Sequence, residues 1–328
     1  MNTCPVAPAA VPSRSRSGAF QDRLMAGALV ATAAGVVVTE LRNSGTPPAP
    51  PGRIVRVGGR ALHVLERPGR APTVVLESGL GTPATVWSWV LEQLREGTCA
   101  VAYDRPGIGW SAAGRSGLDG ARYPDHLLEV LRRSGARAPF VLVGHSVGGL
   151  LIRIFAQRCP ELTAGLVFVD SAHPEQCRRS ARQRAGLALF GQSLDRMVTR
   201  SVLGLPEQGA VAEDLLLLPA EVRAATKRAM FRFSSLLAAR GEFGLSRADW
   251  SGRAAVLASV APCPVAVVSA GVTYGRDPAY GGLQCELGAL SSVSWSQVVA
   301  GAGHVSLLTD RWHAARVAEA VHWVIDHG

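Results

Sequence analysis

Lysine is all but missing from this chain. Lys227 stands alone among the 34 lysine and arginine residues of a 328-residue sequence with formal charge +9. The arginines that carry the charge are scattered rather than clustered, which argues against a nucleic-acid-binding face. No zinc-finger spacing or aromatic RNA-binding signature accompanies them. Aromatic residues are also sparse, at 6%. The six cysteines (Cys4, Cys99, Cys159, Cys177, Cys263 and Cys285) form no C-x-x-C and do not pair with histidines at metal-ligand spacing. No metal site or organic cofactor is therefore called for. Cys263 and Cys285 flank one strand–helix unit and would bridge only in an exported domain. A long greasy span is lacking at the N-terminus too. The uncharged run Leu24–Thr39 falls short of the ~20 residues that cross a bilayer.

What is present fits a folded protein. Hydrophobic content of 48% against 18% charged excludes a disordered chain, and the length supports one large domain. Arg14, Arg16 and Arg23 precede the Leu24–Thr39 run, the order of a signal or signal-anchor segment. That reading places the N-terminal side in the cytoplasm and the rest outside, membrane-anchored through residues 24–39 or secreted, with a cytoplasmic location as the alternative. The Pro-rich "SGTPPAPPG" then acts as a linker. Residues 1–51 are thus read as a leader or anchor with its linker, and 52–328 as the domain.

Within the domain, apolar strands alternate with helices. "RIVRV" and "ALHVLER" straddle Gly58-Gly59 as a hairpin. "TVVLES", "CAVAYD", "FVLVG", "GLVFVD" and "PVAVVSAG" read as buried strands, separated by amphipathic stretches and followed by a last strand near "WSQVV". This alternation predicts an α/β fold with a mostly parallel, doubly wound sheet covered on both faces. It breaks once, over about 173–261, where the pattern is helical throughout. A helical cap inserted after a strand end is expected there, beside the crevice that open parallel sheets use for ligands.

The chemistry centres on Gly144-His145-Ser146-Val147-Gly148, a G-x-S-x-G between an apolar strand and an apolar helix. So tight a joint forces its central residue into an unfavourable backbone angle and lifts the serine hydroxyl above the sheet at a helix N-terminus. A serine hydroxyl needs a base to become a nucleophile. His304, in "GAGHVSLL" after the last strand, is the candidate. His145 should point away from the hydroxyl, His173 follows a strand and could line the pocket, and His126, His313, His322 and His327 read as surface residues on helices. The acid that would orient His304 has two candidates, Asp170 at the end of "GLVFVD" and Asp277 after the next strand. Asp170 is slightly favoured.

From about Ile54 onward the chain resembles the α/β-hydrolase superfamily. "LESGLGTPATVW" is similar to that family's loop after the third strand, with Ser78-Gly79 where His-Gly is usual. The resemblance implies an oxyanion hole built from the N–H groups of Leu80 and Val147. "YDRPGIGWS" is similar to the family's Asp-x-x-Gly-x-Gly-x-Ser loop, a scaffold feature in which Asp104 and Arg105 are expected to hold the loop by ion pairing. Relatives that act on alkyl halides and epoxides use an aspartate nucleophile, so Ser146 implies acyl chemistry: a carboxylesterase with a Ser146–His304–Asp170 triad and a small-molecule acyl substrate. A non-hydrolytic receptor or membrane-tethered partner, an acyltransferase and a cofactor-free perhydrolase are the alternatives. Apolar residues expected to wall the substrate site are Trp87, Trp110, Phe190, Met230 and Phe231. Leu189, Met197 and Phe233 are further candidates.

Overall fold

The computed structural model describes residues 50–114, 118–205, 213–257 and 263–328. The run 24–39, with the signal or anchor role expected of it, lies outside these. Among the described residues no helix is long and apolar enough to cross a membrane. Five cysteines (Cys99, Cys159, Cys177, Cys263 and Cys285) are free thiols, so the bridge considered for Cys263 and Cys285 is not formed.

Eight strands form one sheet in the order β1-β2-β4-β3-β5-β6-β7-β8. Strands β1 (Arg53–Val57) and β2 (Arg60–Arg67) are the hairpin, joined through Gly58 and Gly59 at φ 54° and 78°. A two-residue turn that matches strand twist needs positive φ at both positions, which glycine supplies without a Cβ clash. Strand β2 also runs antiparallel to β4. The remaining strands are β3 (Arg70–Glu77), β4 (Thr98–Tyr103), β5 (Phe140–His145), β6 (Thr163–Val169), β7 (Val265–Ala270) and β8 (Ser294–Val299), and they pair in parallel.

Strand periodicity sorts the core into two layers. On one face Val75, Leu142, Leu166, Phe168, Val265 and Val267 pack under α2 (Tyr123–Ser134) and α3 (Gly148–Arg158). On the other face Val74, Leu76, Val141, Val143, Val167 and Val268 pack under α8 (Arg311–His327) and its neighbour α1 (Ser88–Gln93). Leu142, Val141 and Val143 are fully buried, and each contributes about 1.5–3 kcal/mol of transfer free energy.

Between β6 and β7 the described chain makes helices and turns with no strand. The long pieces are α4 (Ala181–Val202), α5 (Ala220–Met230) and α6 (Phe233–Leu245). Helix α6 lies over the loops that follow β3 and β4. Its Ala239 and Phe243 cluster with Ile108, and with Leu194 of α4. After a π-turn at Ser246–Trp250, the indole of Trp250 is buried back in the sheet core.

One buried cation ties these layers together. Arg105 is 2% exposed. It donates to Glu77 on β3 at 2.6 Å and to Glu242 on α6 at 2.6 and 2.8 Å, and to the carbonyls of Ser78 and Gly79 at 2.7 Å each. Glu242 also accepts from the Gly81 amide. Glu77 accepts from the hydroxyls of Tyr103 and Tyr123. Asp104 takes a different set of partners: His63 Nδ1 and the amides of Ala84 and Trp110. The neighbouring acid and base thus pin two loops through separate partners and not through each other. Removing one member of a buried ion network strands the remaining charge, at about 3–5 kcal/mol. Glu242→Gln should therefore lower the unfolding free energy by about 3 kcal/mol, read as the urea midpoint. A change below ~0.5 kcal/mol would show that Glu77 alone satisfies Arg105.

Candidate active site

The joint between β5 and α3 is as tight as its glycines imply. Ser146 sits at φ 54°, a left-handed conformation that costs a side-chain-bearing residue about 1–2 kcal/mol. Three backbone bonds hold it there. Its amide donates to Val169 O at 3.1 Å, and its carbonyl accepts from Gly149 at 3.0 Å and from Ala172 at 2.9 Å. A Cβ on Gly144 would come within 2.7 Å of the Gly148 carbonyl group, and one on Gly148 would overlap the Glu77 carbonyl oxygen. Both glycines are required by close approach.

Asp170, one residue past β6, has φ 41°. Its carboxylate is 2% exposed, whereas the His304 ring is 44% exposed. His304 Nδ1 lies 2.6 Å from Asp170 Oδ2. The other oxygen, Oδ1, accepts from Tyr280 Oη at 2.5 Å and from the Ala270 amide at 2.7 Å. Burial pushes this carboxyl up, but hydrogen bonds from His304, Tyr280 and Ala270 outweigh it and hold the group below the ordinary carboxylate range. Asp277 is engaged elsewhere. It caps helix α7 (Pro278–Gly288) through the Tyr280 amide at 3.3 Å, and accepts from Ser180 Oγ at 2.7 Å and Gln183 Nε2 at 3.3 Å. It joins α7 to α4 and leaves the imidazole to Asp170.

His145 braces the same loop from below. Its Nε2 lies 2.9 Å from the His304 carbonyl oxygen, and the two rings approach to 4.6 Å between centroids. Donation to a carbonyl fixes the proton on Nε2, leaving Nδ1 as a buried acceptor without a protein partner.

Ser146, His304 and Asp170 line one cavity of about 530 Å³, together with Gly79, Leu80 and Val147. The amides of Leu80 and Val147 have no protein partner among the described residues, and the Arg105–Glu242 clamp fixes the loop that carries the first. Ser78, in the place where a histidine is usual, accepts from Trp87 Nε1 at 3.0 Å.

Of the expected wall residues, Phe190 and Met230 line the cavity and the rest do not. Trp87 is fully buried in the sheet core, with its indole satisfied by Ser78. Trp110 packs its ring 5.0 Å from His63. Phe231 packs on the second core layer and Met197 on the α4–α6 cluster. Leu189 is 62% exposed on the solvent side of α4, and Phe233 is half-buried and does not line the cavity. His173 also stays outside the lining, with its Nδ1 accepting from the Glu175 amide. Leu187, Leu215, Tyr280 and Leu308 also line the cavity, with Val86, Val272 and Val305, and none of these was expected from the sequence. Helical spacing from Phe190 reaches Leu187 at i−3 and was the available signal. Nothing local marks Tyr280.

His126 departs from the surface role expected of it. It is half-buried, with Nε2 shielded from solvent and unpartnered, and desolvation followed by the Arg60 charge brings its pKa down to about 4. Free histidine titrates near 6.5. As pH falls from about 6.5 towards 4, the unfolded chain binds a proton that the folded chain refuses, and stability drops. His126→Gln should remove this loss. Relative to the variant, the parent should lose on the order of 1–2 kcal/mol between pH 7 and 5, measured by urea unfolding at each pH. Parallel curves would show that the ring protonates freely in the folded state.

Known proteins agree with this architecture. An esterase of Mycobacterium tuberculosis is 36% identical over 141 residues, covering 42% of this chain and 46% of its own length. A pimeloyl-acyl-carrier-protein methyl ester esterase of Chromobacterium violaceum is 28% identical over 153 residues, covering 43% of this chain and 58% of its own. The chain thus spans about half the length of these curated relatives. The solved structure of a thermophilic esterase from Thermogutta terrifontis superposes with a TM-score of 0.60 at 19% identity, covering 84% of this chain and 98% of that one. At that identity the likeness speaks for the fold alone. The sequence profile of the alpha/beta hydrolase family matches residues 74–320, from within β3 to late in α8, and the chain belongs to that family.

Proposed function

We propose that this chain is a serine hydrolase, most simply a carboxylesterase, with Ser146 as nucleophile, His304 as base and Asp170 as the orienting acid. The observation that carries this reading is the 2.6 Å contact of His304 Nδ1 with a buried Asp170, in the cavity that also holds Ser146 on its strained corner. With Nδ1–H donated to Asp170, the imidazole presents Nε2 as the basic nitrogen.

In the cycle, Nε2 takes the Ser146 hydroxyl proton as Oγ attacks the ester carbonyl. The carbonyl oxygen becomes an oxyanion facing the amides of Leu80 and Val147, which need not reorganise to meet it. Collapse breaks the bond to the alcohol, and His304 returns the proton to the leaving oxygen. Water, deprotonated by the same nitrogen, then releases the acid from the acyl-enzyme. Asp170 stays ionised throughout, since its hydrogen bonds hold it as the anion. The cavity volume and its Phe190, Met230, Leu187 and Leu308 wall fit a small or medium acyl ester with an apolar body. Esterases among the relatives support the same class.

Incubation with p-nitrophenyl butyrate and a fluorophosphonate probe tests the nucleophile. The expected result is turnover and labelling at Ser146, both lost in Ser146→Ala. An unlabelled, inactive parent protein would defeat the reading. The two carboxylates give a second test. Asp170→Asn should lower kcat by roughly 10³–10⁴. Asp277→Asn should keep kcat within severalfold and lose about 1 kcal/mol of stability from the weakened cap. The reverse ranking would move the acid to Asp277.

A further inference from the structure

Two guanidinium groups at the cavity play no part in the mechanism above. Arg182, on the first turn of α4, and Arg276, in the turn before α7, both line the cavity that holds Ser146 and His304. Both are exposed at its edge. Neither makes an ion pair or a side-chain hydrogen bond among the described residues, although nearby arginines do. Arg179 pairs with Glu286, Arg178 with Glu175, and Arg184 donates to the Cys177 carbonyl. The acids around the pair are already committed. Asp277, next in sequence to Arg276, is 4% exposed and accepts from Ser180, Gln183 and the Tyr280 amide instead. Asp170, the one carboxylate in the lining, is held by His304, Tyr280 and Ala270.

The cavity lining is therefore mixed. Leu187, Phe190, Leu215, Met230 and Leu308 contribute apolar side chains, while Gln176, Gln183 and Thr273 line the cavity with the two arginines. Uncompensated cations at the mouth of a low-dielectric cleft raise the local concentration of anions and the rate at which they arrive. A guanidinium fork also matches a carboxylate in two parallel hydrogen bonds, a pairing stronger than neutral ones. The geometry points to an ester that carries a second, anionic group: a carboxylate at the far end of an apolar acyl or alcohol chain, held by Arg182 and Arg276 while the ester carbonyl meets Ser146. This rests on the serine-hydrolase reading for its chemistry, but the anion site itself is a separate claim.

Two pairs of esters test it, each differing only in whether the distal carboxylate is free or methylated. Monomethyl against dimethyl adipate places the anion on the acyl side. The 3-carboxypropyl ester of hexanoic acid, against its methyl ester, places it on the alcohol side. In one pair the parent should favour the anion by about tenfold in kcat/KM, expressed in KM. The advantage should shrink between roughly 0.02 M and 0.5 M salt. In the R182Q/R276Q double variant that anion-to-neutral ratio should fall close to one. Equal or better turnover of both neutral esters by the parent, or a ratio that survives the double substitution, overturns the proposal. Should none of these esters be turned over, calorimetric titration of the Ser146→Ala protein with adipate still decides the anion site, whatever the p-nitrophenyl butyrate and fluorophosphonate tests say of the hydrolase reading. Binding that is lost on adding R182Q/R276Q supports it. Absent binding, or binding unaffected by the arginines, overturns it.

Discussion

The geometry of this protein turns on two strained corners at the ends of adjacent strands. Ser146 follows β5 and Asp170 follows β6, and they are the two non-glycine residues with positive φ among the described residues. The Ser146 amide donates to Val169, the residue before Asp170, and the Ser146 carbonyl accepts from Ala172 just beyond it. Neither corner is free to relax without disturbing the other. Backbone strain of about 1–3 kcal/mol at each is offset by two fully buried core layers.

From those corners the remaining parts find their places. Asp170, fixed at the sheet end, accepts from three donors brought by three later segments: Ala270 at the end of β7, Tyr280 on α7 and His304 after β8. His145, next to the serine, holds the His304 loop by its carbonyl. Beside the loop that follows β3, Arg105 reaches from the β4 loop to Glu77, to the Ser78 and Gly79 carbonyls and to α6. The rim that carries the Leu80 amide is therefore set by a buried ion network spanning sheet and helical insertion. Such a network is costly to break and tolerates little change in geometry.

The helical insertion decides the character of the cavity. Its α4 supplies the apolar Leu187 and Phe190 to the lining, and at its first turn the polar Gln183 and Arg182. Gln183, Leu187 and Phe190 follow at i, i+4 and i+7 on one face of α4, so the lining changes chemistry along the helix axis, polar at the first turn and apolar beyond it. Leu189, by contrast, falls on the outward side of α4.

Much was legible in the sequence wherever one local pattern implies one local geometry. Alternating apolar strands and helices implied the sheet and its two covered faces. The glycines around Ser146 implied a joint that only a left-handed serine completes, and Gly58-Gly59 implied the hairpin. What only the tertiary structure decided depends on contacts between distant segments. The choice of Asp170 over Asp277 as the partner of the imidazole is set by how β6, β7 and α7 converge, and Asp277 is consumed by α4 more than ninety positions away in sequence. The partners of Arg105 arise from β3 and α6, which no spacing rule connects. Burial of Trp87 and exposure of Leu189 likewise follow from packing of whole elements. Apolar character tells that a side chain avoids water; only the assembled fold tells whether it meets the core, the cleft or the solvent.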